Sequence, residues 1–384
     1  MKKQTVCVIG SGWGSSSFIK NIDTEKYDVV VVSPNCKFLY TPLLPYSIFN
    51  NIQLNLPIKT LNKKIKIVEA EVIDVDLKEH KIILKNQNQT QNQNQHNTKI
   101  HYDIVIFSHG ASVNTFNISG VDKYCEVIKN NDNIERIKKK LKTIGPEANV
   151  VVIGCGPTGV ETIGYLMDNT KFNLLAIDAV SLPLSMYPTQ SIDYLLDLWK
   201  TKNVQFKLRS PVMKVTENEI ITQNEKIKYD LALWCGGIKP NELTNKILQR
   251  LSINKVPGIP VNDYLQIKNG NTFIPNTYAI GDCSFGFGPP VAQKAVQQGT
   301  YLAHQLNTNG HSSGNSKSSS TPFIYNYKGQ VTYIGDNKSV FNSPYFVSNG
   351  NLACLLNKCI LIYNSISLSQ MREICRSYIS NKKN

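Results

Sequence analysis

Two short segments of this chain carry the same pattern, and that pattern constrains the fold more than any other feature of the sequence. VCVIGSGWGSS starts at Val6, and VVVIGCGPTGVE starts at Val150. In each, an apolar run ends in a glycine and a helical pattern follows. The first glycine permits a tight turn, and the second lets backbone N–H groups approach a pyrophosphate. The third position, Ser15 or Gly159, must be small so that helix and strand pack closely. The repeated pattern predicts binding sites for two dinucleotides.

The rest of the chain alternates similar apolar runs with helical patterns. Strands that are continuously apolar are typical of parallel sheets covered by helices on both faces. The sequence therefore predicts an α/β fold with two Rossmann-like dinucleotide-binding domains. Besides the two motifs, the predicted strands are VVVVS (29–33), IVEAEVIDVD (67–76), DIVIFSHG (103–110), LLAID (174–178), YDLALWCGG (229–237) and TYAIGD (277–282).

The residue expected to contact a ribose differs between the two motifs. Asp178 ends the strand after the second motif, where a carboxylate accepts hydrogen bonds from ribose hydroxyls and repels a 2′-phosphate. This favours NADH over NADPH, and the alternative for Asp178 is a turn residue at the strand end. After the first motif the corresponding residue is Ser33, which leaves that cofactor undetermined.

The composition is that of an ordinary soluble globular protein, with 384 residues, 41% apolar and 18% charged. No apolar run approaches the ~20 residues of a membrane-spanning helix. Nine cysteines form no CxxC pair and no zinc-ligand spacing, which predicts free structural thiols in a reducing compartment. The acidic loop of a calcium-binding EF-hand is also missing, so we expect no metal site.

Four biased segments interrupt the pattern, and none carries a binding motif. The formal charge of +14 includes lysine clusters at 63–66 and 136–142, interleaved with Ile and Leu and not with stacking aromatic residues. We interpret them as solvated basic faces and expect no nucleic-acid partner. The Gln/Asn tract at 86–98 is expected to extend from a hairpin, and 308–321 to form a flexible Ser/Gly linker.

Five motifs, in order along the chain, together resemble one enzyme family. SGWG, TPLLP, GPTGVE, AIGDC and PPVAQKAVQQG resemble the type II (rotenone-insensitive) NADH dehydrogenases, single-chain flavoproteins that pass electrons from NADH to quinone. The resemblance runs from about Val6 to about Val340, with a weaker similarity in the C-terminal helices. SGWG followed by TPLLP is its most specific part, since glycine motifs are shared by many flavoenzymes.

The resemblance implies a domain order. The expected segments are the first part of an FAD domain (1–125), an inserted NADH domain (126–255), the second part of the FAD domain (256–307), the linker (308–321) and a C-terminal membrane-docking segment (322–384). It also implies non-covalent FAD as cofactor, NADH and ubiquinone or a related quinone as substrates, and no catalytic acid or base.

The resemblance further assigns site residues, with TPLLP and Trp13 beside the flavin ring. The residues implied for FAD are Gly10, Gly12, Trp13, Gly14, Ser33, Thr41, Pro42, Leu43, Gly110, Asp282 and Ala292. Those implied for NADH are Gly154, Gly156, Gly159, Glu161, Asp178 and Gly237. Those implied for the quinone are Gln293 and Gln297, which share a helix face.

Several assignments keep an alternative. Glu161 would also stabilise a helix dipole, Asp282 would also cap a helix, and the glutamine pair would also suit an exposed surface. Tyr165 stands where the family usually has a second acid. The alternative functions are a non-catalytic, NADH-responsive scaffold resembling apoptosis-inducing factor and a sulfide:quinone reductase. The latter needs redox cysteines beside the flavin, for which Cys36 and Cys283 are the nearest candidates.

The C-terminal segment is expected to be amphipathic. From Leu368 to Ile379 an apolar stripe includes Met371, Ile374, Cys375 and Tyr378, with basic residues beside it. This suits an anionic membrane surface, with packing on the chain's own body or on a second copy (a possible homodimer) as the alternative. By resemblance we expect a peripheral protein of the mitochondrial inner membrane, or of a membrane facing the cytoplasm. We expect no cleavable presequence, because the first strand begins by Thr5.

Overall fold

The computed structural model describes residues 2–85, 98–254, 256–309 and 321–380. The Gln/Asn tract and most of the Ser/Gly linker therefore lie outside the described residues. Contacts divide the chain into two compact units. Unit 1 comprises Met1–Leu39, Asn55–Ser112 and Lys239–Tyr327, and unit 2 comprises Tyr40–Leu54, Val113–Ile238 and Lys328–Asn384.

The boundaries of these units differ from those of the expected domains, which stay a prediction. The chain passes between units at 112/113 and 238/239, upstream of the expected boundaries at 125/126 and 255/256. The segment Tyr40–Leu54, which contains TPLLP, groups with unit 2 and not with the first glycine motif. The C-terminal residues from Lys328 also belong to unit 2. Neighbouring residues in the sequence thus contribute to different units.

The helices and strands follow the predicted alternation. The strands are β1 (Gln4–Ile9), β2 (Tyr27–Ser33), β3 (Lys37–Leu39), β4 (Asn55–Pro57), β5 (Lys66–Glu69), β6 (Val72–Asp76), β7 (Lys81–Leu84), β8 (Lys99–His101), β9 (Ile104–Phe107), β10 (Ser112–Val113), β11 (Cys125–Val127), β12 (Asn149–Ile153), β13 (Asn173–Ile177), β14 (Gln205–Lys207), β15 (Val212–Val215), β16 (Glu219–Thr222), β17 (Lys226–Lys228), β18 (Leu231–Trp234), β19 (Ile238–Lys239), β20 (Ile259–Pro260), β21 (Gln266–Asn269), β22 (Thr272–Ala279), β23 (Ser284–Phe285), β24 (Gln330–Gly335), β25 (Lys338–Asn342) and β26 (Val347–Gly350). The α-helices are α1 (Trp13–Asn21), α2 (Leu44–Ser47), α3 (Val121–Tyr124), α4 (Asn131–Leu141), α5 (Pro157–Asn169), α6 (Thr189–Thr201), α7 (Glu242–Arg250), α8 (Ala292–Asn309), α9 (Asn351–Tyr363) and α10 (Leu368–Ser380). Short 3₁₀ helices occupy Thr41–Leu43, Ile58–Thr60 and Gly281–Cys283.

Unit 1 is built on a six-stranded sheet in the order β21-β22-β9-β1-β2-β5. β1 lies at its centre and pairs in parallel with both β2 and β9. The central strands are buried, as their continuous apolar sequences predict. The predicted strand at 67–76 is two strands, β5 in this sheet and β6 in a separate antiparallel sheet with β7 and β8.

Helices α1 and α8 pack closely beside this sheet. A Cβ added to Gly299 of α8 would lie 2.2 Å from the carbonyl oxygen of Gly14 in α1, so only glycine fits there. One turn further, the hydroxyl oxygens of Ser17 and Thr300 lie 2.8 Å apart. This packing holds the middle of α8 beside the start of α1.

Unit 2 is built on a five-stranded parallel sheet in the order β11-β18-β12-β13-β14. Its core contains the apolar side chains of these strands and Trp199 of α6, which is completely buried. A Cβ on Gly164 of α5 would lie 2.7 Å from the backbone nitrogen of Gly335, so α5 packs tightly on β24 of a second, antiparallel sheet.

The C-terminal helices are tied to the TPLLP segment inside unit 2. The hydroxyl of Tyr40 donates to the carbonyl of Leu361 at 2.6 Å, and that of Tyr46 donates to the carbonyl of Ser377 at 3.2 Å. The described part of the expected docking segment is thus integrated into a folded unit. Within the described ranges, none of the helices has the length and apolar character needed to cross a lipid bilayer.

Candidate functional site

The first glycine motif forms a strand–turn–helix cradle in unit 1. Gly10 has φ +109°, and a Cβ there would lie 2.3 Å from the carbonyl oxygen of Ser108, so the turn requires glycine. Gly12 precedes α1, and no side chain caps this helix. A Cβ on Gly12 would meet nothing within 4 Å. The uncapped N–H groups of α1 therefore face open space, the arrangement that binds a pyrophosphate.

Serine side chains complete the cradle. Ser15, at the third motif position, donates its hydroxyl to the carbonyl oxygen of Gly10 at 2.6 Å and is buried. Ser33 ends β2, and its hydroxyl lies 3.2 Å from that of Ser11 in the turn. Ser33 therefore lies beside the first turn. Its contact with a ribose stays a prediction.

Further residues predicted for FAD also belong to unit 1. Trp13 packs edge-on against Phe38, with ring centroids 4.8 Å apart. Gly110 has φ +70° and open space at its Cβ position. Asp282 lies on the 3₁₀ helix Gly281–Cys283, which the thiol of Cys283 joins to β9 by donating to the carbonyl of Phe107 at 3.3 Å. Ala292 is the first residue of α8.

A histidine beside this turn was missed by sequence reasoning. Nε2 of His109 lies 2.8 Å from the Thr244 hydroxyl, whereas its buried Nδ1 has no hydrogen-bond partner among the described residues. Burial lowers the pKa of His109 to about 4, so the imidazole is neutral. A buried, unpartnered nitrogen next to Gly110 suits a hydrogen bond with a polar group of a ligand.

The second glycine motif forms the equivalent cradle in unit 2. Gly154 has φ +101°, and its Cβ would lie 2.6 Å from the carbonyl oxygen of Cys235. Gly156 precedes α5 without a side-chain cap and has open space at its Cβ position. A Cβ on Gly159 would lie 1.8 Å from the carbonyl oxygen of Gly154, so this third position requires glycine. Both cradles therefore fit a dinucleotide.

Asp178, predicted to contact the ribose of NADH, has two backbone partners in the structure. It follows β13, and its Oδ2 accepts the N–H of Cys155, within the second glycine turn, at 2.5 Å. Its Oδ1 accepts the N–H of Val180 at 3.1 Å, which is the strand-end turn of the alternative interpretation. The carboxylate therefore has a structural role both in the glycine turn and in the turn at the strand end. Its contact with NADH stays a prediction.

Glu161 and Gly237 lie in the same unit as this cradle. Glu161 is half-buried in α5, and burial raises the pKa of its carboxyl from 4.5 to about 8, a rise opposed by a hydrogen bond from the backbone of Tyr333. The side chain is therefore mostly protonated at neutral pH. Gly237 has φ +116°, open space at its Cβ position, and a carbonyl that accepts the N–H of Asn114 at 2.9 Å.

The residues predicted to line the flavin ring from TPLLP differ in exposure. Thr41 is exposed, Pro42 is half-buried, and Leu43 is completely buried in unit 2. Leu43 thus contributes to packing in the protein without a ligand. The two predicted quinone residues lie in unit 1, where Gln293 Oε1 accepts the Tyr325 hydroxyl at 3.2 Å. The side-chain amide of Gln297 donates to the carbonyl of Asn326 and accepts the N–H of the same residue.

Unit 2 also contains a tyrosine-lined cavity that sequence reasoning missed. Tyr165 stacks on Tyr333 at 4.6 Å between centroids and packs edge-on against Tyr46 at 5.5 Å. The Tyr333 hydroxyl donates to Asp168. The cavity has a volume of about 1040 Å³. Only Tyr165 gave a signal in the sequence, as a departure from the family pattern, because Tyr46 and Tyr333 are distant from it along the chain.

Comparison with known proteins gives matches along most of the chain. The family model described as pyridine nucleotide-disulphide oxidoreductase matches residues 4–299. A probable mitochondrial NADH-ubiquinone oxidoreductase of Schizosaccharomyces pombe is 28% identical, covering 99% of this chain and 82% of that protein. The mitochondrial external NADH-ubiquinone oxidoreductase 2 of Saccharomyces cerevisiae is 30% identical, covering 80% of this chain and 63% of that protein.

Solved structures show the same fold. The structure of NDH2 from Plasmodium falciparum in complex with NADH has a TM-score of 0.89 at 23% identity, covering 99% of this chain and 98% of that one. A sulfide:quinone oxidoreductase from Aquifex aeolicus has a TM-score of 0.75 at 14% identity, covering 97% of this chain and 92% of that one. The predicted α/β fold and the resemblance drawn from the motifs are confirmed. With its family model spanning both glycine cradles, the chain belongs to the pyridine nucleotide-disulphide oxidoreductase family.

Proposed function

We propose that this chain is an FAD-dependent, non-proton-pumping NADH:quinone oxidoreductase. The observation that carries the proposal is the pair of uncapped glycine cradles, one in each unit, each with open space above its second glycine. Two dinucleotides in one chain suit transfer of electrons from a nucleotide substrate to a bound cofactor. The curated relatives described above are named as NADH-ubiquinone oxidoreductases, which supports ubiquinone or a related quinone as the acceptor.

The proposed roles follow the two units. The cradle at Gly10, with Ser33 and Asp282, holds FAD, and the cradle at Gly154, with Asp178, holds NADH. FAD supplies a ring that accepts the hydride and passes two electrons onward. The protonated carboxyl of Glu161 is a hydrogen-bond donor suited to the ribose or carboxamide of NADH. Alignment and exclusion of water are the protein's main contributions, since hydride transfer needs no acid or base.

The sulfide:quinone alternative requires reactive thiols beside the flavin. All nine cysteines lie within the described residues and are free thiols there. Cys36 and Cys283 are buried, and burial raises the pKa of both thiols, to about 12 for Cys283. The thiolate is the nucleophilic form of cysteine, so a thiol that stays protonated is poorly suited to the redox reaction with sulfide. These features favour structural roles for both cysteines.

The test is anaerobic spectroscopy of the purified protein. NADH is expected to bleach the visible absorbance of bound flavin, and a short-chain quinone is expected to restore it. Persistent absorbance after NADH would contradict the proposal and favour a non-catalytic scaffold. Bleaching by sulfide but not by NADH would favour the sulfide:quinone alternative.

We also propose that the protein docks on the surface of a mitochondrial membrane. The named relatives are mitochondrial proteins, which supports the compartment. The apolar stripe predicted on α10 is partly covered, because Ile374 is buried and Tyr378 packs against Tyr46. The better candidate is α9, where Leu352, Leu355, Cys359 and Tyr363 are exposed at helical spacing on one face.

Basic residues on the neighbouring helix support an anionic lipid surface as the partner of this face. Arg372 and Arg376 of α10 are exposed, and basic residues next to an apolar helix face each contribute about 1 kcal/mol to binding such a surface. Replacing Leu352 and Leu355 by serine should abolish sedimentation with anionic liposomes while preserving NADH-dependent reduction of ferricyanide. Met213→Ser is the control, because Met213 is similarly exposed in unit 2 but distant in sequence. Equal liposome binding by wild type and double variant would show that α9 is not the docking face.

A further inference from the structure

Lys294 is a charged side chain in the interior of unit 1. It is 1% exposed and is among the largest completely buried side chains of the described residues. Its Nζ donates to the carbonyl oxygen of Gly288 at 3.3 Å, and it forms no ion pair with any described residue. The other buried charged residue in the described ranges is Glu126, which is paired with both Arg136 and Lys140.

Two physical effects act against a lysine at this position. A buried ammonium loses its hydration, and one carbonyl satisfies only one of its three donors. Lys294 also lies in the first turn of α8, where the positive end of the helix dipole repels a cation. A residue that served only to fill space would be apolar, like its buried neighbour Ala295. The position therefore indicates a function for the charge.

Lys294 lies next to the segment that carries Asp282, a residue that the resemblance implies for FAD. The N–H of Gly281 donates to Gln298 Oε1 of α8 at 2.7 Å, which fixes the 3₁₀ helix carrying Asp282 against α8. Burial lowers the pKa of Lys294, and the carboxylate of Asp282 opposes that effect. The hydrogen bond from Gly281 to Gln298 thus holds the segment of Asp282 against α8, and the Asp282 carboxylate favours the charged form of Lys294.

We propose that Lys294 is a positioning residue of the FAD site, whose buried ammonium offsets negative charge that the cofactor brings to unit 1. This inference rests on the proposed function, because it requires FAD in this cradle. The shared chemistry is an anionic group of FAD. One source is the pyrophosphate, which is charged in every redox state, and the other is the flavin ring, which gains negative charge on reduction.

Two neutral variants test the charge separately from packing. Lys294→Met keeps the length and apolar stem, and Lys294→Gln keeps a donor for Gly288. Lys268→Met is the control, since it removes the same charge from an exposed strand position of unit 1. For each protein we would measure FAD dissociation, the two-electron midpoint potential of bound flavin, and chemical unfolding with and without FAD.

Both neutral variants are expected to unfold without FAD at least as late as wild type, because a buried charge has been removed. A tenfold weaker affinity for FAD at unchanged potential identifies the pyrophosphate as the partner. A midpoint potential lower by about 30 mV corresponds to a tenfold change in the equilibrium between oxidised and reduced FAD, because two electrons are transferred. That result identifies the reduced flavin ring as the partner. The inference about Lys294 is overturned if both variants keep the FAD affinity and midpoint potential of wild type. It is also overturned if they are destabilised equally with and without FAD. Either result leaves the proposed function intact. Wild-type protein that binds no FAD would overturn the proposed function as well.

Discussion

Replacing Glu161 by glutamine should make unit 2 more stable than in wild type, and this advantage should grow as the pH rises. The carboxyl has a pKa of about 8 in the folded protein and 4.5 as its ordinary value, and burial is the main cause. Between these values the folded state holds a proton that the unfolded state has released. Because the native state then binds more protons, wild-type stability falls as pH increases through this window. Glutamine keeps an acceptor for the backbone of Tyr333 but has no proton to lose.

The size of the effect follows from the two pKa values. The two pKa values differ by about 3.5. Because a pKa difference of one corresponds to about 1.36 kcal/mol, the full effect would be about 5 kcal/mol. Glu161 is half-buried, so solvent screening reduces the expected effect to about 2–3 kcal/mol. The advantage of Glu161→Gln should therefore be absent below pH ~4.5, grow through neutrality, and level off above pH ~8.

The assay is urea unfolding followed by tryptophan fluorescence in a Trp13→Phe background. The remaining tryptophans, Trp199 and Trp234, are both buried in unit 2, so the signal reports on that unit. Glu217→Gln, at an exposed position of the same unit, is the matched control. A difference between wild type and Glu161→Gln that stays constant from acidic to alkaline pH would refute the reasoning.

Three further predictions test the cradles and their surroundings. Replacing Asp178 by serine and Ala179 by arginine should raise the ratio of kcat/KM for NADPH over NADH by at least about tenfold, because repulsion of a 2′-phosphate becomes attraction. Equal use of both nucleotides by wild type would contradict the ribose assignment. Deleting 86–97 and joining β7 to β8 with Asn-Gly should leave bound FAD unchanged, since β7 and β8 already pair as a hairpin. Loss of flavin would show that the tract contacts the core. Gly299→Ala should lower the free energy of unfolding by about 1–3 kcal/mol, because its Cβ would meet the Gly14 carbonyl. An unchanged urea midpoint would count against that packing.

The glycine cradles could be predicted because their determinants are local. The turn, the helix start and the small third residue lie within a few positions, and the positive φ of Gly10 and Gly154 follows from residue type. Serine at the third position of the first motif is also explained locally. Its hydroxyl donates to the carbonyl of Gly10, and a larger side chain would displace that carbonyl. The parallel strands were similarly visible from their continuous apolar runs.

The remaining features depend on contacts between distant segments. Nothing near Lys294 in the sequence indicates that it is buried, because its cover comes from the tertiary fold of unit 1. The helical period of α10 correctly showed an apolar face, but not that Ile374 is covered within unit 2 while Leu352 of α9 is exposed. The grouping of Tyr40–Leu54 with unit 2 likewise rests on the contacts of Tyr46 with Tyr165 and Tyr378. Sequence periodicity identifies a face but not the element that covers it.

The most direct test of the central claim is the stoichiometry of electron transfer by the FAD-loaded protein without oxygen. NADH and a short-chain ubiquinone analogue are mixed with catalytic amounts of protein, and loss of NADH and formation of quinol are followed together. The account predicts one quinol formed for each NADH oxidised, with both processes lost after removal of FAD. NADH that reduces the bound flavin once, without continued quinol formation, would contradict it.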